Sequence, residues 1–221
     1  MYVHGGGLVY YSPQVFAPFL AQLAEKTGQT VFALDYCKAP EARPALALDQ
    51  LTDTLRVLLA AYRDMHFTMA GDSVGGLLAT QLCHALQEAR MDALQLIYPV
   101  THLSVAQEDP HGTGHFLDTD MMNWFYGFIR PLCQAQPAPL ALSDKAIEAL
   151  PPTTIHVACC DILAPQARAF ADRLASLDRL EGCIAHDGMP HDFCLYAGSS
   201  LAAAQALTRI ADNISPALTD A

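Results

Sequence analysis

Short β-like runs alternate with longer helix-periodic segments along most of this chain, and no other feature limits its fold as much. Thr30 to Tyr36 (TVFALDY) is rich in β-branched and aromatic residues. Ala45 to Asp64 then carries Leu48, Leu51, Leu55, Leu58, Leu59 and Tyr62 at helical spacing. His66 to Ala70 reads as a short strand before a helical pattern over Ser73 to Ala89. Leu94 to Val100 and Thr154 to Cys160 read as strands, Ala164 to Leu177 as a helix, Gly182 to His186 as a short strand, and Leu201 to Ile214 as a last helix. Parallel strands need crossovers, and crossover helices cover the sheet. The expectation is an α/β fold: a mostly parallel sheet with helices on both faces. A chain of 221 residues suffices for one domain, 1–221, with a substantial core.

One region interrupts the alternation. Residues 101–150 separate two strands and hold a Gly-, His- and Asp-rich loop (105–119) followed by DMMNWFYGFIRPL (120–132). The expectation is a partial cap or lid inserted over a site, since long loops in compact domains are often binding loops.

Charge and composition exclude several functions. The formal net charge of −11 argues against a nucleic-acid partner, which demands basic patches. Apolar runs are too short to span a bilayer, and no charged segment leads an apolar one at the start. Seven scattered cysteines without a C-x-x-C fit a reducing compartment, so a cytoplasmic location is expected. His111 and His115 lie four apart in a loop without paired carboxylate or Cys ligands, so no metal and no cofactor are expected.

The chemistry concentrates at Gly71-Asp72-Ser73-Val74-Gly75, a G-x-S-x-G stretch between a strand and a helix. A sharp strand-to-helix turn projects the Ser hydroxyl above the sheet at a helix N-terminus, and flanking glycines leave room for it. A serine nucleophile needs a base, and the base needs an orienting acid. Asp161 directly follows TIHVACC, and His191 lies in HDGMPHDF after the next strand. Both sit in the Ser, Asp, His order of hydrolase sheets. Asp187, Asp192 and His186 are rivals, although His186 falls inside the strand. The opening MYVHGGG supplies bare backbone N–H groups for an oxyanion, with Gly5, Gly6 and Val74 as the expected donors. His4 and Asp72 are expected to support this arrangement from behind. Met121, Trp124, Phe125 and Phe128 either line an acyl or alcohol pocket or pack as one face of a helix.

These residues resemble the hormone-sensitive-lipase-like family of α/β-hydrolases. His4 to Gly7 is similar to its HGGG motif, Gly71 to Gly76 to its G-D-S-A-G-G elbow, and Asp35 to Leu46 to its D-Y-R-L-A-P-E segment. Tyr98 to Val100 and Leu150 to Pro152 fall where the family has similar words, and His191-Asp192-Phe193 matches its H-G-F. The resemblance implies the α/β-hydrolase fold and cofactor-free hydrolysis of small short-acyl esters through a serine acyl-enzyme. Thioester or amide hydrolysis, or a fold that only binds, stay open as alternatives.

Four departures set further expectations. Family members carry two strands and capping helices before HGGG, whereas only Met1 to Val3 precede it here. This implies an N-terminally shortened fold with Thr30 to Tyr36 on an open sheet edge, suited to pairing in a homodimer. Asp161-Ile162-Leu163-Ala164-Pro165 lacks the second carboxylate of the family's D-P-L-x-D, which implies a less ordered acid loop. Cys37-Lys38 replace Arg-Leu, which implies the loss of a supporting ion pair. Val74 stands in place of Ala after the nucleophile, bulkier but with its N–H retained.

Overall fold

In the computed structural model, which describes residues 1–86, 91–105, 110–113, 116–135 and 137–214, strands and helices alternate from the first residues onward. Strand β1 (Tyr2–Val3) leads to α1 (Pro13–Thr27), β2 (Ala33–Leu34) to α2 (Pro44–Ala61), and β3 (Thr68–Asp72) to α3 (Val74–Ala85). Strand β4 (Ala93–Ile97) is followed by α4 (Thr119–Ala135), a 3-10 turn and α5 (Asp144–Glu148). Then come β5 (Thr153–Cys160), α6 (Ala164–Ser176), β6 (Leu180–Pro190), a second 3-10 turn and α7 (Leu201–Ile214).

The described strands form one parallel sheet in the order β2-β1-β3-β4-β5-β6. Period-two alternation sends successive side chains to opposite faces. Val3, Met69, Leu96 and Val157 join the core beneath α2, α3, α4 and α6, with Leu51, Leu77, Ile129 and Phe170. Tyr2, Ala70, Ile97 and Ala158 point the other way, onto Phe16 and Leu20 of α1 and Leu207 and Ile210 of α7. Helices therefore cover both faces, as the alternation implied.

Several elements differ in extent from the sequence expectation. Strand β2 is two residues long rather than spanning Thr30 to Tyr36. It does occupy the sheet edge, but so short a strand offers little ladder to a second chain. Strand β6 runs to Pro190 instead of stopping at His186, because β5 continues to pair with it past an irregularity near Ala158. Helix α3 ends at Ala85, and residues 87–90 of its expected span lie outside the described ones. Helix α1 had no sequence expectation, although Pro13 in its first turn and Phe16, Phe19, Leu20 and Leu23 at helical spacing mark it. Of the 105–119 loop, residues 106–109 and 114–115, including His115, lie outside the described ones. No helix among the described residues is long and apolar enough to cross a membrane.

Candidate active site

The sheet order creates the site. The chain leaves β1 toward β2 on one side and returns at β3 on the other, so the loops after β1 and β3 diverge over the strand ends. Such a switch point is where open α/β sheets bind ligands. Val3 and Gly71 are register partners in the parallel ladder. The residues just beyond them, His4 to Gly7 and Asp72-Ser73, consequently meet at one crevice.

Ser73 caps α3 with φ 53 and ψ −123, a left-handed conformation that side chains rarely adopt. Backbone contacts enforce it: Ser73 N–H donates to the Ile97 carbonyl at 3.0 Å, and the Ser73 carbonyl accepts from Val100 N–H at 2.9 Å. The tight turn leaves no room beside it. A Cβ on Gly71 would overlap the Gly75 carbonyl, and one on Gly75 would overlap the carbonyls of Val3 and His4. The glycines of the motif are therefore packing requirements as well as turn residues.

Strands β5 and β6 deliver the other two groups together. Cys160 pairs with Pro190, so the next residue on each strand, Asp161 and His191, stands side by side. His191 Nδ1 lies 2.6 Å from Asp161 Oδ2, and His191 Nε2 lies 3.0 Å from Ser73 Oγ. All three are buried. The remaining Asp161 oxygen accepts the Leu163 N–H at 2.9 Å, which pins the turn into α6. The acid loop is thus ordered by its own carboxylate, without the missing second one. Burial disfavours the charged imidazole, but the carboxylates of Asp161 and Asp192 outweigh it and lift the His191 pKa to about 9. Of the rivals, His186 is buried within β6 and faces His156 at 3.1 Å, while Asp187 is exposed. Asp192 lies at the site and is taken up below.

The glycine loop departs from expectation at one donor. Gly5 N–H donates to Asp72 Oδ1 at 2.8 Å, so it is not available to an oxyanion. Gly6 and Gly7, with φ of 103 and 64, border the pocket opposite Ser73 instead. The Asp72 carboxylate occupies the first amide of the expected pair. Tyr2 Oη donates to the same oxygen at 2.6 Å. Burial raises the Asp72 pKa to about 7, and Asp192 adds to the rise, while the Tyr2 and Gly5 hydrogen bonds oppose it.

His4 braces the loop from behind. Its ring stacks on Tyr36 with centroids 4.4 Å apart, and its Nδ1 lies 2.7 Å from the Gly5 carbonyl. Tyr36 Oη donates to the His4 carbonyl at 2.9 Å. Tyr36 and Asp35, after β2, thereby brace the glycine loop. The ion pair is also present: Lys38 Nζ reaches Asp35 Oδ1 at 2.8 Å, and Asp35 lies 3.4 Å from His4 Nε2. The Cys37-Lys38 replacement moves the cation by one position instead of removing it.

A cavity of about 130 Å³ opens between these groups and α4. Met121 and Phe125 border it, joined by Met122 and Ile129, with Tyr10 and Tyr11 from the glycine loop. Trp124 and Phe128 do not. Helix α4 turns Met122, Phe125, Tyr126 and Ile129 inward, and Trp124 falls off that face to stack on Tyr10 at 6.0 Å. Phe128 packs edge-on against Trp124 at 4.9 Å. A Cβ on Gly7 would overlap the Phe125 ring, so this glycine lets α4 close one wall. Tyr2, Tyr10 and Tyr11 had no sequence expectation; their only local signal is adjacency to the glycine run.

A serine on a strained strand-to-helix turn at a sheet's switch point, with an acid and a histidine on later strand ends, defines the α/β-hydrolase class. The chain belongs to the family described as alpha/beta hydrolase fold, whose model matches residues 1–195. It is 31% identical over 206 residues to an ethyl acetate hydrolase of Pseudomonas putida, covering 87% of this chain and 65% of that protein. It is 29% identical over 210 residues to an esterase of Gibberella moniliformis, covering 88% of this chain and 66% of that one. The fold matches carboxyl esterase 2 of the fungus Tuber melanosporum with a TM-score of 0.85 and 26% identity, over 98% of this chain and 77% of the other. The chain spans somewhat less than two thirds of the length of these curated relatives.

Proposed function

We propose that the protein is a serine carboxylesterase acting on small, short-acyl esters. The observation that carries this reading is the relay at the pocket wall, with Ser73 Oγ 3.0 Å from His191 Nε2 and His191 Nδ1 2.6 Å from Asp161. His191 takes the Ser73 proton as Oγ attacks the ester carbonyl. Asp161 fixes the tautomer that leaves Nε2 as the base, and stabilises the imidazolium that forms. The oxyanion is held by the N–H groups of Gly6, Gly7 and Val74, the last on the first turn of α3, where amides lack intrahelical partners. His191 then protonates the leaving alcohol, and water repeats the sequence on the acyl-enzyme.

A small apolar cavity suits short acyl chains, and the Pseudomonas putida relative carries an ethyl acetate hydrolase name. The test is hydrolysis of p-nitrophenyl acetate, butyrate and decanoate by the chain and by Ser73→Ala. The expected result is turnover of the short esters that vanishes in the variant. A folded wild-type chain without turnover would overturn the reading. Faster cleavage of a thioester or anilide than of the matching ester would move it to thioesterase or amidase.

A further inference from the structure

His191 faces a second carboxylate. Asp192 follows it directly with φ 57 and ψ 21, a left-handed turn that Asp tolerates better than most residues. The turn folds the Asp192 side chain back toward the ring before it. Oδ1 stands 3.5 Å from His191 Nε2, the nitrogen that also meets Ser73, and Oδ2 accepts from the Tyr11 hydroxyl at 3.0 Å. The residue is 4% exposed, and among the described residues nothing donates a hydrogen bond to Oδ1. A buried carboxylate oxygen without a donor is costly unless charge compensates it. The cation within reach is the imidazolium that His191 becomes on taking the serine proton.

The surroundings concentrate negative charge on this one ring. Asp161 meets it from the end of β5, Asp192 from the residue after it, and Asp72 from the end of β3. Tyr11 comes from the glycine loop, and the Tyr98 ring lies 4.9 Å away from the end of β4. Tyr2, Cys194, Tyr36 and Tyr126 are further titratable groups near these carboxylates. One imidazole thus answers three carboxylates.

We propose that Asp192 is a positioning residue for the imidazolium, stabilising the ring on its Nε2 side as Asp161 does on its Nδ1 side, and thereby setting the pH above which the site works. The proposal rests on the esterase reading of the same site. In the acylation step the Ser73 Oγ–H bond breaks, the Nε2–H bond forms, and Oγ bonds to the carbonyl carbon. That proton then passes from Nε2 to the leaving alkoxide oxygen. Asp192 takes up no proton. It stabilises the protonated ring in the intermediate and equally in the resting enzyme, so more of the resting enzyme is held without its base at neutral pH. Activity is displaced toward alkaline pH.

Two variants test this. Asp192→Asn keeps the shape and the Tyr11 contact, and Asp192→Gly suits the left-handed backbone, so a folding defect in one leaves the other. The first readout is the NMR titration of the His191 Cε1–H signal, assigned by its loss in His191→Gln, which needs no turnover. The second is the pH dependence of kcat/KM on p-nitrophenyl acetate. Both midpoints are expected to fall by about one pH unit or more in each variant. Unchanged midpoints in both variants, with only a lower Tm, would overturn the proposal and leave Asp192 as a turn residue. A shifted NMR midpoint in a chain that cleaves no ester would support the pairing and sink the esterase reading instead. Serine-dependent turnover with fixed midpoints would do the reverse.

Discussion

The Asp72 carboxylate accepts the Gly5 N–H at 2.8 Å, which joins the Ser73 turn to the glycine loop as one body. The same oxygen takes the Tyr2 hydroxyl at 2.6 Å. Three adjacent glycines are the most freely moving backbone a chain can offer. Here their placement against Ser73 is dictated by a side chain on the residue before it.

Removing that carboxylate frees the loop. Asp72→Ala leaves two buried donors unpaired, at a cost of about 1–3 kcal/mol each. A lower Tm is expected, together with a fall in kcat on p-nitrophenyl acetate at nearly constant KM. Calorimetry and steady-state kinetics on the variant check both, and a kcat equal to wild type would show that the loop is held by other contacts.

Asp161→Asn separates orientation from the nucleophile itself. The amide conserves volume but cannot hold the His191 tautomer, and loss of this function lowers kcat by about 10⁴-fold in serine hydrolases. The Leu163 N–H contact to the remaining oxygen keeps α6 in place. An intact circular dichroism spectrum with kcat reduced on that scale is the expected pair of results.

Phe125 controls pocket depth. It is nearly buried, and its ring lies where a Gly7 Cβ would be. Phe125→Ala is expected to cost about 3–5 kcal/mol of stability while opening the wall. The ratio of butyrate or decanoate to acetate turnover should rise. A ratio that stays fixed would place the acyl chain elsewhere.

Beside the Phe193 ring, His156 and His186 form a buried neutral pair, with His156 Nε2 also 3.2 Å from Gln95 Oε1. Burial, then His186 and Arg209, lower His156 to about 3, and burial and Arg209 lower His186 to about 4. Unfolded histidines titrate near ~6.5, so acid protonates the unfolded chain first. The pair's contribution to stability is complete above that pH and is lost as pH falls toward the folded values. Asp72, raised to about 7, acts in the opposite sense, so the comparison is with a variant. Urea denaturation should show wild type losing stability toward acid faster than a His156→Leu, His186→Leu chain; parallel pH dependences would contradict it.

The sheet, its parallel sense and the strand-end positions of Ser73, Asp161 and His191 were legible because each rests on local pattern: a period of two, a period of 3.6, and a turn motif flanked by both. What stayed hidden depends on partners distant in sequence. The Gly5 amide is taken by a residue 67 positions later, and nothing in HGGG announces that. Lys38 serves as the cation for Asp35 through an i, i+3 geometry that a motif comparison reads as a loss. The direction of Trp124 turns on a rotation of α4 by one residue, finer than its aromatic spacing reveals. Helix α1 escaped although its signals are local, since Pro13 and Phe16 to Leu23 follow the glycines without a break.

The pairing of Cys160 with Pro190 carries one more consequence. His191 and Asp161 are neighbours only in that register, and a slip of β6 by one residue would turn His191 to the opposite side of the sheet. Turnover by the proposed esterase is then a readout of assembly. A preparation in which a fraction of molecules has mispaired its last strand would show that fraction as missing active sites in a serine titration, even where helix content and size look native.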